Sequence, residues 1–162
     1  MNASDMERFR ALVQKRLGLV FDESRLDALA DTLRRHSAAN GDVCSAYLQR
    51  LSEARYPDET WRALAQELTV TETYFLRAAE QIRAFVECAL PQQLAASAGM
   101  RSLRALSAGC ASGEEPYSLA MAIREAAPWS AEAVSIVAVD VNRAMLQKAR
   151  NACYSDWSLR EL

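Results

Sequence analysis

In the stretch LSAGCASGEEPYSLAMAI, residues 106–123, two glycines, Gly109 and Gly113, stand ahead of a Glu-Glu-Pro step and an apolar run at helical spacing. A glycine turn between a strand and a helix lets a ligand approach the backbone, and the helix start offers free N–H groups. A further acid, Asp140, closes the run AVSIVAVD ~30 residues after the turn, against the ~20 typical of dinucleotide folds. An acid in that place can accept both hydroxyls of a ribose. The turn lacks the Gly-Lys-Ser/Thr step of a phosphate-gripping loop, and Glu114 and Glu115 would repel a polyphosphate. Two readings of the paired carboxylates stand. They suit a nucleoside that carries positive charge, such as the sulfonium and α-ammonium of S-adenosylmethionine, or they favour the positive end of the helix dipole and face water.

A second stretch, LTVTETYFLR (residues 68–77), packs Thr69, Thr71 and Thr73 around Glu72, then Tyr74, Phe75 and Arg77. On structural grounds alone it reads as a buried linker that caps the next helix and wedges two aromatics into the core.

The elements that must position these residues fall into two rhythms. Residues 1 to about 98 read as successive helices. The first puts Met6, Phe9, Leu12, Val13 and Leu17 at helical spacing, with Ser4 as its expected N-cap and Gly18 as its stop. The next carries Leu26, Leu29, Ala30 and Leu33 and ends at Asn40-Gly41; a third has Tyr47, Leu48 and Leu51. A fourth starts behind Pro57 with Asp58, Glu59 and Thr60, and a fifth carries Ile82, Phe85, Val86 and Leu90 and closes at Gly99. From Met100 the pattern becomes strand, glycine turn, helix with Pro116 in its first turn, strand, helix capped by Asn142. That order predicts a parallel α/β sheet, with AVSIVAVD buried on both faces.

The chain has 162 residues, half of them hydrophobic and a quarter charged, which suits a globular protein. No apolar run approaches the ~20 residues of a membrane span, and the polar N-terminus has no signal-peptide core. Four scattered cysteines, no CxxC pair and a single His36 exclude a zinc cluster of the usual kind. A net charge of −2 gives no general attraction to nucleic acid. Cys110, in the turn, reads as a small buried thiol, and His36 as a surface residue.

Taken together, LTVTETYFLR, SAGCASGEEPYSLAM and VDVN (residues 139–142) resemble the bacterial chemotaxis-receptor glutamate methyltransferases of the CheR type, and the resemblance runs from the first helix to the last residue. It implies a small all-α domain (1–68), a linker with connecting helices (69–99) and the first part of a Rossmann-like α/β methyltransferase domain (100–162). It also implies S-adenosylmethionine as cofactor, S-adenosylhomocysteine as product, and methyl esters formed on receptor glutamates in the cytoplasm. By position, the family's cofactor contacts fall on Thr71, Thr73 and Arg77 of the linker, on Gly109 and Glu115 of the turn, and on Asp140. Arg77 suits the ligand's carboxylate, Glu115 its ammonium and Asp140 its ribose. No side chain is expected to act as a nucleophile or an acid–base catalyst, because the acceptor carboxylate is already ionised near neutrality.

The sequence departs from the family at three places. Thr71 replaces a usual Asn, Leu76 a usual second aromatic, and Thr32 a usual Arg in the second helix. In the family a basic face on the helical domain docks against the receptor's acidic helical bundle. Here Arg25, Arg34 and Arg35 would carry that role, with Lys15 and Arg16 nearby, although acids such as Asp27 and Asp31 dilute the patch. Since the family continues beyond SDWSLREL with further strands, the chain is expected to be a fragment with half a cofactor site and little or no activity of its own. Such a fragment is expected to dimerise or swap elements to cover its sheet edge. Two alternatives remain: a non-catalytic receptor-binding module with a degenerate cofactor site, and a nucleotide-binding oxidoreductase, which the paired glutamates disfavour.

Overall fold

The computed structural model describes residues 2–54, 58–96 and 103–161. The expected starts and stops at Pro57, Gly99 and Met100 lie outside them. The chain divides into two compact units, Met1–Thr69 and Val70–Leu162.

The described part of the first unit is helical. α1 (Ala3–Leu17) begins at Asn2 rather than at the expected Ser4. The Asn2 side chain accepts from the Asp5 N–H at 2.7 Å, and the Asp5 carboxylate accepts from the Asn2 N–H at 3.1 Å. This reciprocal box satisfies two helix-start donors at once, which a lone serine one turn position later would not. α1 stops at Gly18, which takes the left-handed φ of 71°. α2 (Leu26–Ala39), α3 (Cys44–Glu53) and α4 (Glu59–Leu68) follow, the last capped by the Asp58 side chain. Their apolar faces meet in one closed core of Phe9, Val13, Leu29, Leu33, Tyr47, Leu48, Leu51, Trp61 and Leu64, each 1% exposed or less.

The second unit opens with a strap, residues 70–78, that leads into a helical run. α5 (Ala79–Ala84) passes through a π-helical turn (Phe85–Ala89) into α6 (Leu90–Ala96). β1 (Leu103–Ala108) pairs in parallel with β2 (Val134–Val139), from Leu103 opposite Val134 to Ala108 opposite Val139. Between them runs α7 (Glu114–Ala126), and α8 (Arg143–Asn151) starts at Asn142, whose side chain accepts from the Met145 N–H.

The expected burial of the second strand on both faces does not hold. Leu103, Val134 and Ile136 pack with Leu90 of α6 and with Ile123 and Ala127 at the end of α7. Leu106, Val137 and Val139, which point the other way, are 66%, 45% and 45% exposed. Among the described residues the sheet has two strands with helices packed on one face, so alternate side chains meet solvent.

Candidate functional site

The parallel strands deliver the glycine turn and Asp140 to their shared carboxyl end, the usual place for a ligand in an open α/β sheet. The Gly109 and Cys110 N–H groups both donate to the Val139 carbonyl, at 2.8 and 3.0 Å, which ties the turn to the end of β2. Gly113 must be glycine on two counts. Its φ is +98°, and a Cβ there would lie 2.8 Å from the Cβ of Ala149 and 2.9 Å from the Tyr154 hydroxyl.

Glu114 and Glu115 sit side by side and do different things. Glu114 is 2% exposed, and its two oxygens accept from the Ser112 hydroxyl at 2.7 Å and the Ser158 hydroxyl at 3.0 Å. It is an internal tie, neither a solvent-facing carboxylate nor a ligand group. Glu115 accepts from the Ser107 hydroxyl at 2.6 Å and lines an open cavity of about 480 Å³. That cavity is also lined by Glu72, Thr73, Tyr74 and Arg77 of the strap, by Gln81 of α5, and by Gly109, Cys110 and Ala111 of the turn, among others.

The strap follows an unusual backbone path. Leu76 and Ala78 have φ of 56° and 58°, and Ala111 across the cavity has 45°. Each left-handed non-glycine residue costs on the order of 1–2 kcal/mol, so neighbouring contacts must hold it. The Leu76 N–H donates to the Ser118 hydroxyl and the Phe75 N–H to the Ser158 carbonyl, each at 2.9 Å. The Ala111 N–H donates to Asp140 at 2.8 Å. Arg77 closes the strap on itself by donating to the Glu72 carbonyl at 2.7 Å. Of the two aromatics expected in the core, only Phe75 is buried, edge-on to Tyr154 with ring centroids 4.8 Å apart; Tyr74 faces the cavity. Burial raises the Tyr154 phenol to about 12, and it donates to the Ser112 carbonyl.

Thr73, Arg77, Gly109 and Glu115 therefore line one cavity. Thr71 is exposed and is not among the lining residues. Asp140 stands one residue behind the wall, where its oxygens accept from the Ala111 and Asn142 N–H groups at 2.8 and 2.7 Å. Burial, followed by the charges of Asp140 and Glu115, raises the pKa of the Cys110 thiol and keeps it protonated, as suits a packed residue. Sequence reasoning had not assigned Glu72, Tyr74, Gln81 or Ala111 to the site. Tyr74 and Glu72 were visible in the motif, but no periodicity tells which way an irregular strap turns its side chains.

The expected basic face of the helical unit is mostly engaged. Arg25 lies over the Phe21 ring at 5.0 Å, Arg34 pairs with Asp31, and Arg35 pairs with Glu67. His36 is not a free surface residue. Its side chain is only 15% exposed, and its Nε2 lies 2.8 Å from Glu67. Thr32 is buried and donates to the same carboxylate. Burial alone would raise the pKa of Glu67, but hydrogen bonds from Arg35, Thr32 and His36 outweigh it and hold the pKa down to about 2.

The cavity fits an S-adenosylmethionine-type ligand by the chemistry of its donors. Glu72, Glu115 and Arg77 bring charges of both signs to its lining, and a glycine turn allows close backbone approach. Its volume is in the range of small-molecule sites. Among the described residues no group of three or more His, Cys, Asp or Glu could hold a metal, and no helix is long and apolar enough to cross a membrane.

Comparison with known proteins points the same way. Residues 71–162 match the family model described as CheR methyltransferase, SAM binding domain. The chain is 34% identical over 149 residues to the probable biofilm formation methyltransferase WspC of Pseudomonas putida, covering 91% of this chain and 34% of that protein. It is 30% identical over 161 residues to chemotaxis protein methyltransferase 2 of Vibrio cholerae (98% and 55%) and 28% identical over 163 residues to the chemotaxis protein methyltransferase of Salmonella typhimurium (100% and 54%). It thus spans between a third and just over half of the length of these relatives. With strap residues 71–78, the glycine turn and the second-strand acid inside the matched segment, the chain belongs to the CheR methyltransferase family through its S-adenosylmethionine-binding domain.

Proposed function

We propose that the protein takes part in transferring a methyl group from S-adenosylmethionine to glutamate side chains of chemosensory receptors in the cytoplasm, on a Rossmann-like domain preceded by an all-α recognition domain. The observation that carries this reading is the one cavity that Arg77 and Glu115, of opposite charge, both line beside a glycine turn. Bound there, S-adenosylmethionine supplies an electrophilic methyl on a positively charged sulfur. Arg77 offers a planar fork of donors to the amino-acid carboxylate, and Glu115, held by Ser107, accepts from the ammonium. Asp140 keeps acceptor capacity beyond its two backbone donors for a ribose diol, while its bond to Ala111 shapes the turn. Thr73 contributes a hydroxyl from the strap. No residue has to move a proton, so catalysis rests on alignment in a water-poor pocket.

The helical unit's Arg25, Arg34 and Arg35 are the proposed contacts to an acidic receptor bundle. Titration calorimetry with S-adenosylhomocysteine tests the cofactor site. Binding that Arg77→Ala and Glu115→Gln each weaken by about tenfold or more, the value of one charge-assisted contact, supports it; no binding by the wild-type protein refutes it. A second reading, a receptor-binding module without catalysis, draws support from the exposed Thr71, which lies off the cavity wall. Transfer of labelled methyl groups to receptor by the protein carrying Thr71→Asn but not by the wild type would favour that reading.

A further inference from the structure

The turn that follows α8 presents residues that none of the chemistry above uses. Trp157 is 65% exposed, unusual for so large an apolar ring. Its partner is the Arg160 guanidinium, which lies 4.0 Å from the Trp157 ring and 3.7 Å from the ring of Tyr74. Arg160 also donates to the Trp157 carbonyl, and its other terminal nitrogen is 3.8 Å from the Glu72 carboxylate. Tyr74 and Glu72 both line the cavity, and Arg160 stands behind them. The same turn takes the Phe75 N–H on the Ser158 carbonyl, and Ser158 is tied in turn to the buried Glu114. The strap therefore meets the turn at three residues on either side of Thr73: Glu72, Tyr74 and Phe75. It needs such support, because Leu76 and Ala78 hold left-handed conformations that persist only where neighbours over-determine them.

We propose that Arg160 is a positioning residue for the cavity: held between Tyr74 and Trp157, its guanidinium keeps the strap closed so that Thr73 and Arg77 stay on the cavity wall. A planar, delocalised cation suits this place better than an ammonium, since it can meet an aromatic ring on either side while still donating in its own plane. Trp157 acts as the outer cover that keeps the guanidinium from water, leaving the Arg160 side chain 22% exposed. The proposal rests on the reading of the cavity as the S-adenosylmethionine site.

Two measurements on the wild-type protein, Arg160→Ala and Arg160→Lys test it: amide hydrogen exchange at Phe75 and Leu76, and calorimetric binding of S-adenosylhomocysteine. Arg160→Ala is expected to speed exchange at both amides and to weaken binding, each by about tenfold, while exchange along α7 stays as it was. Arg160→Lys is expected to recover part of both losses. In the wild-type protein, added S-adenosylhomocysteine should slow exchange at the same two amides, a response that a residue serving stability alone would not govern. If Arg160→Ala unfolds the protein, Trp157→Ala removes one side of the stack at an exposed position and carries the same test. Unchanged strap exchange in the variant overturns the proposal, as does faster exchange with undiminished affinity. A wild-type protein that binds no S-adenosylhomocysteine takes down the cofactor reading and the positioning role together. Failure of Arg160 alone is distinct, because wild type and variant then bind equally well.

Discussion

In the helical unit, Glu67 gathers Thr32, Arg35 and His36 beside a closed apolar core; in the α/β unit, Glu114 gathers Ser112 and Ser158 where the strap, the glycine turn and the last turn meet. Glu67 is about a third exposed and is held by charged partners, whereas Glu114 is 2% exposed and is held by neutral hydroxyls. The helical unit closes on hydrophobic burial, with Trp61, Leu64 and Tyr47 fully inside, and carries its polar cluster at the edge. The α/β unit leaves Leu106, Val137 and Val139 open and relies on polar ties to hold an irregular strap against a turn. The difference shows what each unit is arranged for. One is stabilised by packing, and the other spends buried hydrogen bonds on keeping a cavity wall in place.

The largest expected effect comes from attacking the packed core. Trp61→Ala removes a fully buried ring and should lower stability by about 3–5 kcal/mol in a denaturant titration. A loss under about 1 kcal/mol would mean that the helical unit is not held by this core.

Next in size is the contrast between the neighbouring glutamates. Glu114→Ala strips two serine hydroxyls of their acceptor in a buried place and should cost about 2–3 kcal/mol. Glu115→Gln, on the cavity wall, should leave the thermal midpoint almost unchanged and weaken S-adenosylhomocysteine binding instead. Reversed outcomes would exchange the roles assigned to the two side chains.

The third effect is pH-dependent. Folding lowers the pKa of Glu67 from an ordinary 4.5 to about 2, so as pH falls the unfolded chain binds the proton first. The cluster's contribution is complete above about pH 4.5 and is lost as pH drops towards 2. Glu67→Gln should flatten the stability profile across that window, as measured by denaturant midpoints at several pH values. An identical slope in variant and wild type would show that the hydrogen bonds do not survive in solution.

The smallest effect belongs to the exposed pair. Arg34→Ala breaks an ion pair with Asp31 in which both side chains are 55% exposed, and stability should change by less than about 1 kcal/mol. Its proposed consequence is for receptor association, which should weaken and become less sensitive to salt.

Much of the architecture was legible because it rests on local periodicity. The apolar spacing of Phe9, Val13, Leu29, Leu33 and Leu48 marks helices whose faces must be buried, and all five are in the core. Gly18, Asp58 and Asn142 announced helix ends because a left-handed residue or a capping oxygen works within a few residues of itself. Asn2 was missed because two capping residues, Asn2 and Ser4, lay within one turn, and the reciprocal bond with Asp5 decides between them. The exposed faces of β1 and β2 were missed for a different reason. A run of apolar residues reports what a strand prefers to meet, not what covers it.

The sequence by itself determined the kinds of group at the site, and thereby the chemistry: a glycine turn without a lysine, two adjacent carboxylates, an arginine beside threonines, and an acid ending the second strand. Residue type is enough for that, since charge and hydrogen-bonding capacity belong to the side chain. Only the tertiary structure decided which carboxylate is free to meet a ligand, that Thr71 lies off the wall while Tyr74 lies on it, and that Arg160 is folded back behind the strap. Those outcomes depend on contacts across dozens of residues, such as Ser158 to Glu114 and Leu76 to Ser118, which no local pattern encodes.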